Sequence, residues 1–366
     1  MPLTKDAVLN GGMGGSEGAL CFSARALSLA GNSVEIICPC EEEFDVDSVK
    51  FIPISKGSKN RIDNADIVIS FRDIELCDED ILIGKILILW IHDGYSNFWF
   101  DKNVLNKWYP IITKKIGRIF VLSKWQKSRF KNMFKTVIGR EIDENLIYLT
   151  RNGMPFEFEE QMNIKKNADQ LIFTGIINRG FYEIPEILDL IKSEICNVKL
   201  KVCTSYPKEK DMFFINYPEI EFLGKLNRIE LRKTLWESSI FIYPNYSLPF
   251  PIGAFGAYAE TSCIIAMEAM ACKTPIIASH RGAISETVPD GLCGELIKGD
   301  PLSNTDYDRK FADSVIGLLK DKDKLNKFGE NARKYAIDRY VWSKIIKEWE
   351  NEFELLLKGT AVRLKL

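Results

Sequence analysis

Histidine and closely paired cysteines are scarce in this chain. Only two histidines occur, His92 and His280, and the nine cysteines include no Cys-x-x-Cys pair. Zinc centres are built from such residues at short spacings, so no zinc cluster is expected. Most cysteines lie in apolar runs such as IICPC and AMAC. We therefore predict reduced thiols in the core of a cytoplasmic protein.

Long apolar runs and a strong net charge are also lacking. The longest apolar stretch, residues 81–91, is interrupted by Lys85 and is too short to span a bilayer. The opening residues show no apolar core of a signal peptide. The net charge of −2 argues against a general nucleic-acid-binding protein. A length of 366 residues with 46% hydrophobic residues is typical of a globular protein with two domains.

Short strands rich in Val, Ile and Leu alternate with helical segments. Because these runs do not alternate with polar residues, they are typical of buried parallel strands. Strands are predicted at 34–38, 66–70, 86–90, 118–122, 145–150, 171–175, 198–203, 219–224, 239–244 and 275–279. Helices are predicted at 19–30, 123–134, 183–195, 308–320, 324–338 and 342–358. Before the first glycine loop only KDAVLN is available, so we expect either a stunted first strand there or a chain that starts late, after that strand.

The polar, irregular segment 151–170 separates two such alternating halves. Two successive halves of this kind predict an α/β protein with two doubly wound domains that face a cleft. Ligands bind such sheets at the carboxyl ends of the strands, so the cleft is the expected site.

A carboxylate inside an apolar helix is the most informative feature of the sequence. Glu268 lies in the run IIAMEAMAC, which is apolar on every side and is typical of a buried helix. A buried carboxylate is unfavourable unless a partner donates hydrogen bonds to it. Glu260 lies eight residues earlier, just before this helix. Taken alone, the pair has a purely structural explanation that is at least as good as a functional one. In that explanation one glutamate caps the helix and the other lies at the core edge with a local partner.

Other candidate residues lie in a glycine loop and after predicted strands. Gly12 and Gly14 belong to GGMGGSEG, which precedes a helix and either approaches an anionic ligand or makes a tight turn. The loop does not complete the G-x-G-x-x-G pattern of nicotinamide dehydrogenases. His92 and Arg179 each follow a predicted strand, where α/β proteins bind ligands. A structural histidine and a surface arginine are the alternative interpretations.

The segment 102–135 contains ten Lys or Arg residues and no Asp or Glu. Aromatic residues such as Trp108 and Trp125 lie among them. The segment is interpreted either as a peripheral membrane or anionic-acceptor surface, or as a lysine-rich solvent face whose aromatics point inward.

Taken in order, these pieces resemble the retaining nucleotide-sugar glycosyltransferases of the GT-B fold, family 4 type (glycosyl transferases group 1). The resemblance covers nearly the whole chain, and its most specific part is E-x₇-E followed by AMACKTPIIAS. The pieces that carry it are GGMGGSEG, ADIVISFRD, WIHD, FVLSKWQKSRF, RNGMP, INRG, ETSCIIAMEAMACKTPIIAS and HRGAISETV. The resemblance implies two Rossmann-like domains: an acceptor-side domain at 1–155 and a donor domain at 156–339. The helix at 340–366 is then expected to pack back on the first domain.

For the donor site, the resemblance implies that Glu268 binds the ribose hydroxyls and that Glu260 faces the transferred sugar. The backbone amides near Ser262, Cys263 and Ile264 would hold the diphosphate at the start of the helix.

The remaining implied site residues come from other loops. Arg179 stands where the family usually has lysine and would neutralise the leaving diphosphate. His92 matches a histidine that contacts the transferred sugar. Gly12 and Gly14 would let the first loop approach the donor. Gly282, with Glu286, matches the loop after the strand that follows the helix.

Two positions depart from the family pattern. Thr174 occupies a position where arginine is common. The segment 245–259 is longer than usual and suggests a mobile flap near the cleft.

The sequence therefore predicts a hexosyltransferase-type enzyme that moves a sugar from a nucleotide diphosphate-sugar to an acceptor hydroxyl, with retention and without a metal or other cofactor. Its acceptor would be a glycan, a lipid-linked molecule or a small molecule, and no nucleic acid is expected as partner. Its expected location is the cytoplasm, either free or peripheral at a membrane. A nucleotide-binding scaffold without transfer activity and a nucleotide-sugar epimerase are the alternatives.

Overall fold

The computed structural model of the chain describes residues 3–11, 13–56, 59–79, 82, 85–92, 101–177, 179–204, 217–246, 259–299, 301 and 305–363. Within these residues the two halves of the chain differ in their sheets.

The first half contains two small sheets. One joins β1 (Val34–Cys38), β3 (Val49–Pro53) and β2 (Phe44–Val46) in that order, and the other joins β4 (Ile67–Phe71), β5 (Ile86–Trp90), β6 (Ile116–Val121) and β7 (Ile147–Leu149). All pairs are parallel except β2 with β3. The helices of this half are α1 (Lys5–Asn10), α2 (Gly15–Leu29), α3 (Lys59–Asp63), α4 (Lys102–Lys114) and α5 (Lys124–Ile138).

The expected first strand is wrong, because KDAVLN forms the helix α1. Thr4 caps this helix by accepting a hydrogen bond from the Ala7 amide (3.2 Å), and Val8 is buried. The first strand of a doubly wound sheet normally lies at its centre, between the second and the fourth. Its absence fits the finding that the described strands of this half form two sheets rather than one.

The second half contains one six-stranded parallel sheet. Its strands are β8 (Asn167–Thr174), β9 (Lys199–Cys203), β10 (Ile220–Phe222), β11 (Ser238–Tyr243), β12 (Ile276–Ser279) and β13 (Gly294–Ile297), in the order β10-β9-β8-β11-β12-β13. Its helices are α6 (Ile184–Lys192), α7 (Arg228–Glu237), α8 (Ile264–Ala271), α9 (Ile284–Thr287), α10 (Thr305–Lys320) and α11 (Lys322–Arg339). The strand order reverses between β8 and β11, so the carboxyl ends of these strands mark the topological switch point.

The helix α12 (Trp342–Arg363) packs on the first half. Trp342 and Trp349 are fully buried with Trp90 of β5, and the Trp90 and Trp349 ring centroids lie 4.9 Å apart. The Trp349 indole donates a hydrogen bond to Thr150 (2.6 Å). Glu352 forms an ion pair with Arg118 of β6. Most of the apolar face of α12 therefore completes the core beneath β5 and β6.

Candidate active site

A cleft of about 630 Å³ lies between the glycine loop and the strand ends of the second half. On one side it is lined by the loop residues around Gly14 and by the α2 residues Ala19 and Phe22. On the other side it is lined by Thr174 and Gly175 at the end of β8, by Thr204 after β9, and by the start of α8 with Glu268. The cleft thus lies beside the switch point of the second sheet, where open α/β sheets bind ligands.

Glu268 lies on α8 and lines this cleft. Its neighbours on the helix are fully buried, and the residue itself is only 9% exposed. Burial disfavours the charged carboxylate and raises its pKa to about 8, and the charge of Glu157 adds to the rise while Arg228 opposes it. A ligand that donates hydrogen bonds to this carboxyl group would stabilise its charged form.

Glu260 lies just before α8 and is also buried, at 6% exposure. Its Oε1 atom accepts a hydrogen bond from Nη1 of Arg179 (2.9 Å) and another from the hydroxyl of Tyr243 (2.7 Å). Arg179 follows β8 and Tyr243 ends β11, so the two donors come from the two strands of the switch point. The structure thus joins two predicted residues, Glu260 and Arg179, to a third that sequence reasoning missed.

Two glycines allow this arrangement by close backbone approach. Gly180 has φ +104°, and a Cβ atom there would lie 2.2 Å from the carbonyl oxygen of Pro244. Gly282 has φ +59°, and its Cβ atom would lie 2.6 Å from the carbonyl oxygen of Glu260. Any other residue at either position would displace the backbone that carries Arg179 or Glu260.

The N-terminus of α8 lies between the two glutamates. Cys263 is its N-cap residue and makes no side-chain cap, and Oγ of Ser262 is buried without a protein partner among the described residues. Ile264 faces the glycine loop, because a Cβ atom on Gly15 would lie 3.6 Å from its side chain. Unpaired amides and the helix dipole make such a terminus a favourable place for an anion.

The glycine loop places Gly14 in the cleft lining, as the N-cap residue of α2. Gly12 lies outside the described residues. The same holds for residues 247–258, most of the segment expected to form a flap.

His92 is buried beside aromatic rings and is absent from the cleft lining that the described residues form. Its ring centroid lies 4.7 Å from that of Phe71 and 4.5 Å from that of Trp90. Nε2 is buried and has no hydrogen-bond partner in the described part of the chain, and burial lowers the pKa of the imidazole to about 3. The ring is therefore neutral at physiological pH. The backbone of His92 does reach the site, because its carbonyl oxygen accepts a hydrogen bond from Thr261 (2.7 Å).

Arg228, at the start of α7, links the second half to the glycine-loop side of the cleft. It donates hydrogen bonds to the carbonyl oxygens of Val8 (3.1 Å) and Leu9 in α1 and pairs with Glu157 (3.3 Å). Its guanidinium lies 5.1 Å from the ring centroid of Phe22. Sequence reasoning missed this residue, because the contact joins positions more than two hundred residues apart and no local pattern marks it.

A second link between the halves runs through Glu286. Its carboxylate accepts hydrogen bonds from the backbone amides of Lys124 (2.7 Å) and Trp125 (2.8 Å), the first residues of α5. The predicted N-cap, Ser123, accepts from the Gln126 amide as expected. A glutamate of the second half thus satisfies two amides of a helix in the first.

The basic segment 102–135 is largely paired with carboxylates from other elements. Glu144 alone pairs with Lys127 and Lys131. Further pairs join Lys107 to Glu75, Lys115 to Asp78, Arg118 to Glu352 and Lys135 to Glu141. Within the described residues, six of its ten basic residues therefore have an acidic partner. Among the described helices, none has the length and apolarity needed to cross a membrane.

Comparison with known proteins agrees with this geometry. The family model "Glycosyl transferases group 1" matches residues 157–335. Over 229 residues the chain is 24% identical to the alpha-maltose-1-phosphate synthase of Mycobacterium tuberculosis, covering 57% of this chain and 56% of that protein. The chain thus spans about half the length of that curated relative.

Solved structures share the fold at low sequence identity. The sucrose-phosphate synthase from Thermosynechococcus elongatus has a TM-score of 0.68 and 15% identity, with 94% of both chains covered. Anabaena HepE in complex with UDP also has a TM-score of 0.68, with 14% identity over 93% of this chain and 96% of that one. These likenesses confirm the predicted GT-B fold, in which two Rossmann-like domains face each other.

Proposed function

We propose that this chain, whose residues 157–335 match the family model "Glycosyl transferases group 1", transfers a hexose from a nucleotide diphosphate-sugar to an acceptor hydroxyl. One observation carries the proposal. The cleft beside the switch point holds Glu268 and the uncapped start of α8, and the Arg179–Glu260 pair lies next to that helix start. Such an order of groups suits a ribose, a diphosphate and a sugar in succession.

In this proposal the donor lies along the start of α8. Glu268 accepts hydrogen bonds from the ribose hydroxyls, and the amides near Ser262, Cys263 and Ile264 bind the diphosphate. Gly14 allows the first loop to approach the same groups. HepE binds UDP in its solved structure, and we propose a nucleoside diphosphate as the product that this chain releases.

The transfer proceeds with retention and without a metal ion. Arg179 supplies positive charge where the leaving diphosphate develops negative charge, and preorganised charge of this kind is worth several kcal/mol in a transition state. The acceptor attacks on the face that the diphosphate leaves, and the departing phosphate takes the proton of the acceptor hydroxyl. Glu260 orients the sugar and is not assigned as a covalent nucleophile, since the same-face attack needs no enzyme nucleophile; its Oε1 accepts hydrogen bonds from Arg179 and Tyr243.

His92 contributes through its backbone in this proposal. Its carbonyl holds Thr261, which directly follows Glu260, while its neutral ring supports the aromatic cluster at the end of β5. An acid–base role for the imidazole is disfavoured, because its pKa of about 3 makes the ring a weak base that stays neutral near pH 7.

The proposal is tested with the purified chain and UDP-glucose, UDP-N-acetylglucosamine and GDP-mannose. One donor is expected to raise the melting temperature by mass action and to release its nucleoside diphosphate slowly as water takes the sugar in place of the acceptor hydroxyl. Glu268→Ala should abolish the temperature shift, whereas Glu354→Ala on α12, which pairs with Lys358 on the surface, should not. A scaffold would bind a donor without releasing nucleotide, and an epimerase would change the sugar without releasing it. Absence of binding to every donor would contradict the proposal.

A further inference from the structure

The hydroxyl of Tyr243 is a second donor to a buried carboxylate that already has a guanidinium partner. Tyr243 is 2% exposed, and its hydroxyl lies 2.7 Å from Oε1 of Glu260, the same atom that Arg179 binds at 2.9 Å. The chain after β8 packs against this ring: a Cβ atom on Gly175 would be in ordinary van der Waals contact with Cε2 of Tyr243, at 3.7 Å. The phenol is thus held in a fixed place against Glu260.

If the proposed function holds, Arg179 binds two different groups in turn. In the structure its Nη1 atom pairs with Glu260, and during transfer its charge is required at the diphosphate. When the guanidinium turns toward the diphosphate, Glu260 gives up a charged partner while still buried at 6% exposure. A buried carboxylate that loses its hydrogen bonds is destabilised, so a second donor that stays in place has a clear purpose.

Tyr243 can keep Glu260 satisfied through that exchange. Burial and the charge of Glu260 raise the pKa of the phenol well above its ordinary value, so the hydroxyl remains a donor at any working pH. A phenol buried in the sheet core is also fixed by packing, whereas the Arg179 side chain is part-exposed and has more freedom to turn.

We infer that Tyr243 is a positioning residue for the transferred sugar: it holds Glu260 in place while Arg179 moves from Glu260 to the donor diphosphate. This inference rests on the proposed function, because it assigns Glu260 to the sugar and Arg179 to the diphosphate.

The test uses Tyr243→Phe, which removes only the hydroxyl. Tyr307→Phe is the matched control, since Tyr307 is equally buried in the second half and its hydroxyl bonds Ser279 (2.7 Å) instead. Affinities for UDP-glucose, UDP-N-acetylglucosamine and GDP-mannose, and for UDP and GDP alone, are measured by calorimetry. In Tyr243→Phe the affinity for the cognate nucleotide-sugar should fall about tenfold, the size of one hydrogen bond to a charged group. The affinity for the nucleoside diphosphate alone should change less than about twofold.

A second measurement separates positioning from general structural support. In a Glu260→Ala background, which lacks the acceptor, the Tyr243→Phe change should have a much smaller effect on nucleotide-sugar affinity, because the two residues act through one contact. The inference would be overturned if Tyr243→Phe lowered the nucleotide-sugar affinity equally in both backgrounds. It would also be overturned if the change lowered the affinities for nucleotide-sugar and nucleoside diphosphate equally.

The outcome for the wild-type chain distinguishes the two proposals. If no nucleotide-sugar binds, the proposed function fails and the inference falls with it. If a nucleotide-sugar binds and Tyr243→Phe binds it as tightly as the wild type, only the inference fails.

Discussion

The guanidinium of Arg228 donates a hydrogen bond to the carbonyl oxygen of Val8 at 3.1 Å. Val8 belongs to α1, the short helix that replaces the expected first strand, and the glycine loop follows it directly. A central strand would hold this loop through sheet hydrogen bonds. Here a residue of the second half provides part of that support, and it lines the cleft itself.

Loss of this support should weaken donor binding. Arg228→Ala removes hydrogen bonds from a charged donor to α1 and leaves Glu157 without its ion pair. We expect about a tenfold loss of affinity for UDP or the cognate nucleotide, measured by calorimetry. Arg232→Ala is the control, because Arg232 lies one turn along α7 and bonds Glu160 within the second half. Equal affinities of the wild type and Arg228→Ala would show that α1 needs no such support.

Donor binding should release a proton near pH 7. Without ligand the pKa of Glu268 is raised to about 8 by burial, so the carboxyl is mostly protonated at neutral pH. Hydroxyl donors of a ribose favour the charged form and lower that pKa. Calorimetry at pH 7 in phosphate and in Tris should show release of up to about one proton per nucleotide. Glu268→Gln should give the same heat of nucleotide binding in both buffers. A heat that still differs between the buffers would show that another group releases the proton.

The same carboxyl group gives the unliganded protein a defined pH dependence. Because its folded pKa lies above the ordinary value of 4.5, the folded chain binds more protons than the unfolded chain between about pH 4.5 and 8. Its contribution to stability is complete below this window and is lost as the pH rises through it, with a slope of at most about 1.4 kcal/mol per pH unit. The free energy of unfolding in urea should fall with rising pH in the wild type by up to this slope relative to Glu268→Gln. The same pH dependence in both proteins would contradict the prediction.

The contact of Glu286 with α5 should matter more for stability than the ion pairs on the same helix. Glu286→Ala leaves the amides of Lys124 and Trp125 without their acceptor, and loss of a helix cap costs about 0.5–2 kcal/mol. Glu144→Ala removes exposed pairs with Lys127 and Lys131, which are worth little in water. Chemical unfolding should rank Glu286→Ala well below Glu144→Ala in stability. The reverse order would show that the two halves do not rely on this contact.

Arg179 should affect turnover more than binding. Arg179→Ala removes charge from the proposed leaving group, and we expect kcat to fall at least about a hundredfold, as for other groups that stabilise transition-state charge. Nucleotide affinity should fall less, because Glu268 and the start of α8 remain. Arg179→Lys, the family's usual residue, should restore part of kcat. A variant with unchanged kcat would remove Arg179 from the mechanism.

Local patterns predicted most strands of the second half, because these strands contain short apolar runs; β13 (Gly294–Ile297), whose sequence GELI is not such a run, was not predicted. The strands β8, β9, β11 and β12 lie where the sequence places them, within a few residues. KDAVLN was misjudged because the glycine loop after it suggested a strand, whereas the Thr4 cap favours a helix. The hairpin of β2 and β3 was missed, since its turn uses Asp47 and Ser48 at positive φ instead of the usual glycine.

The site was only partly predictable for a different reason. Glu260, Glu268 and Arg179 carry a recognisable pattern along the chain, and the structure brings Glu260 and Arg179 into contact. Tyr243 and Arg228 have no such pattern. Their roles arise from contacts between distant segments, which become visible only when β8 and β11 lie side by side and α1 lies beside α7.

The packing of α12 bears on how the chain is made. Trp90 lies in the first quarter of the sequence, yet its core partners Trp342 and Trp349 leave the ribosome only after the entire second half. One face of the β5–β6 region therefore stays uncovered throughout synthesis, and its apolar side chains are exposed to solvent or chaperones. We expect the second half to reach its native form first, and the first half to mature last although it is translated first.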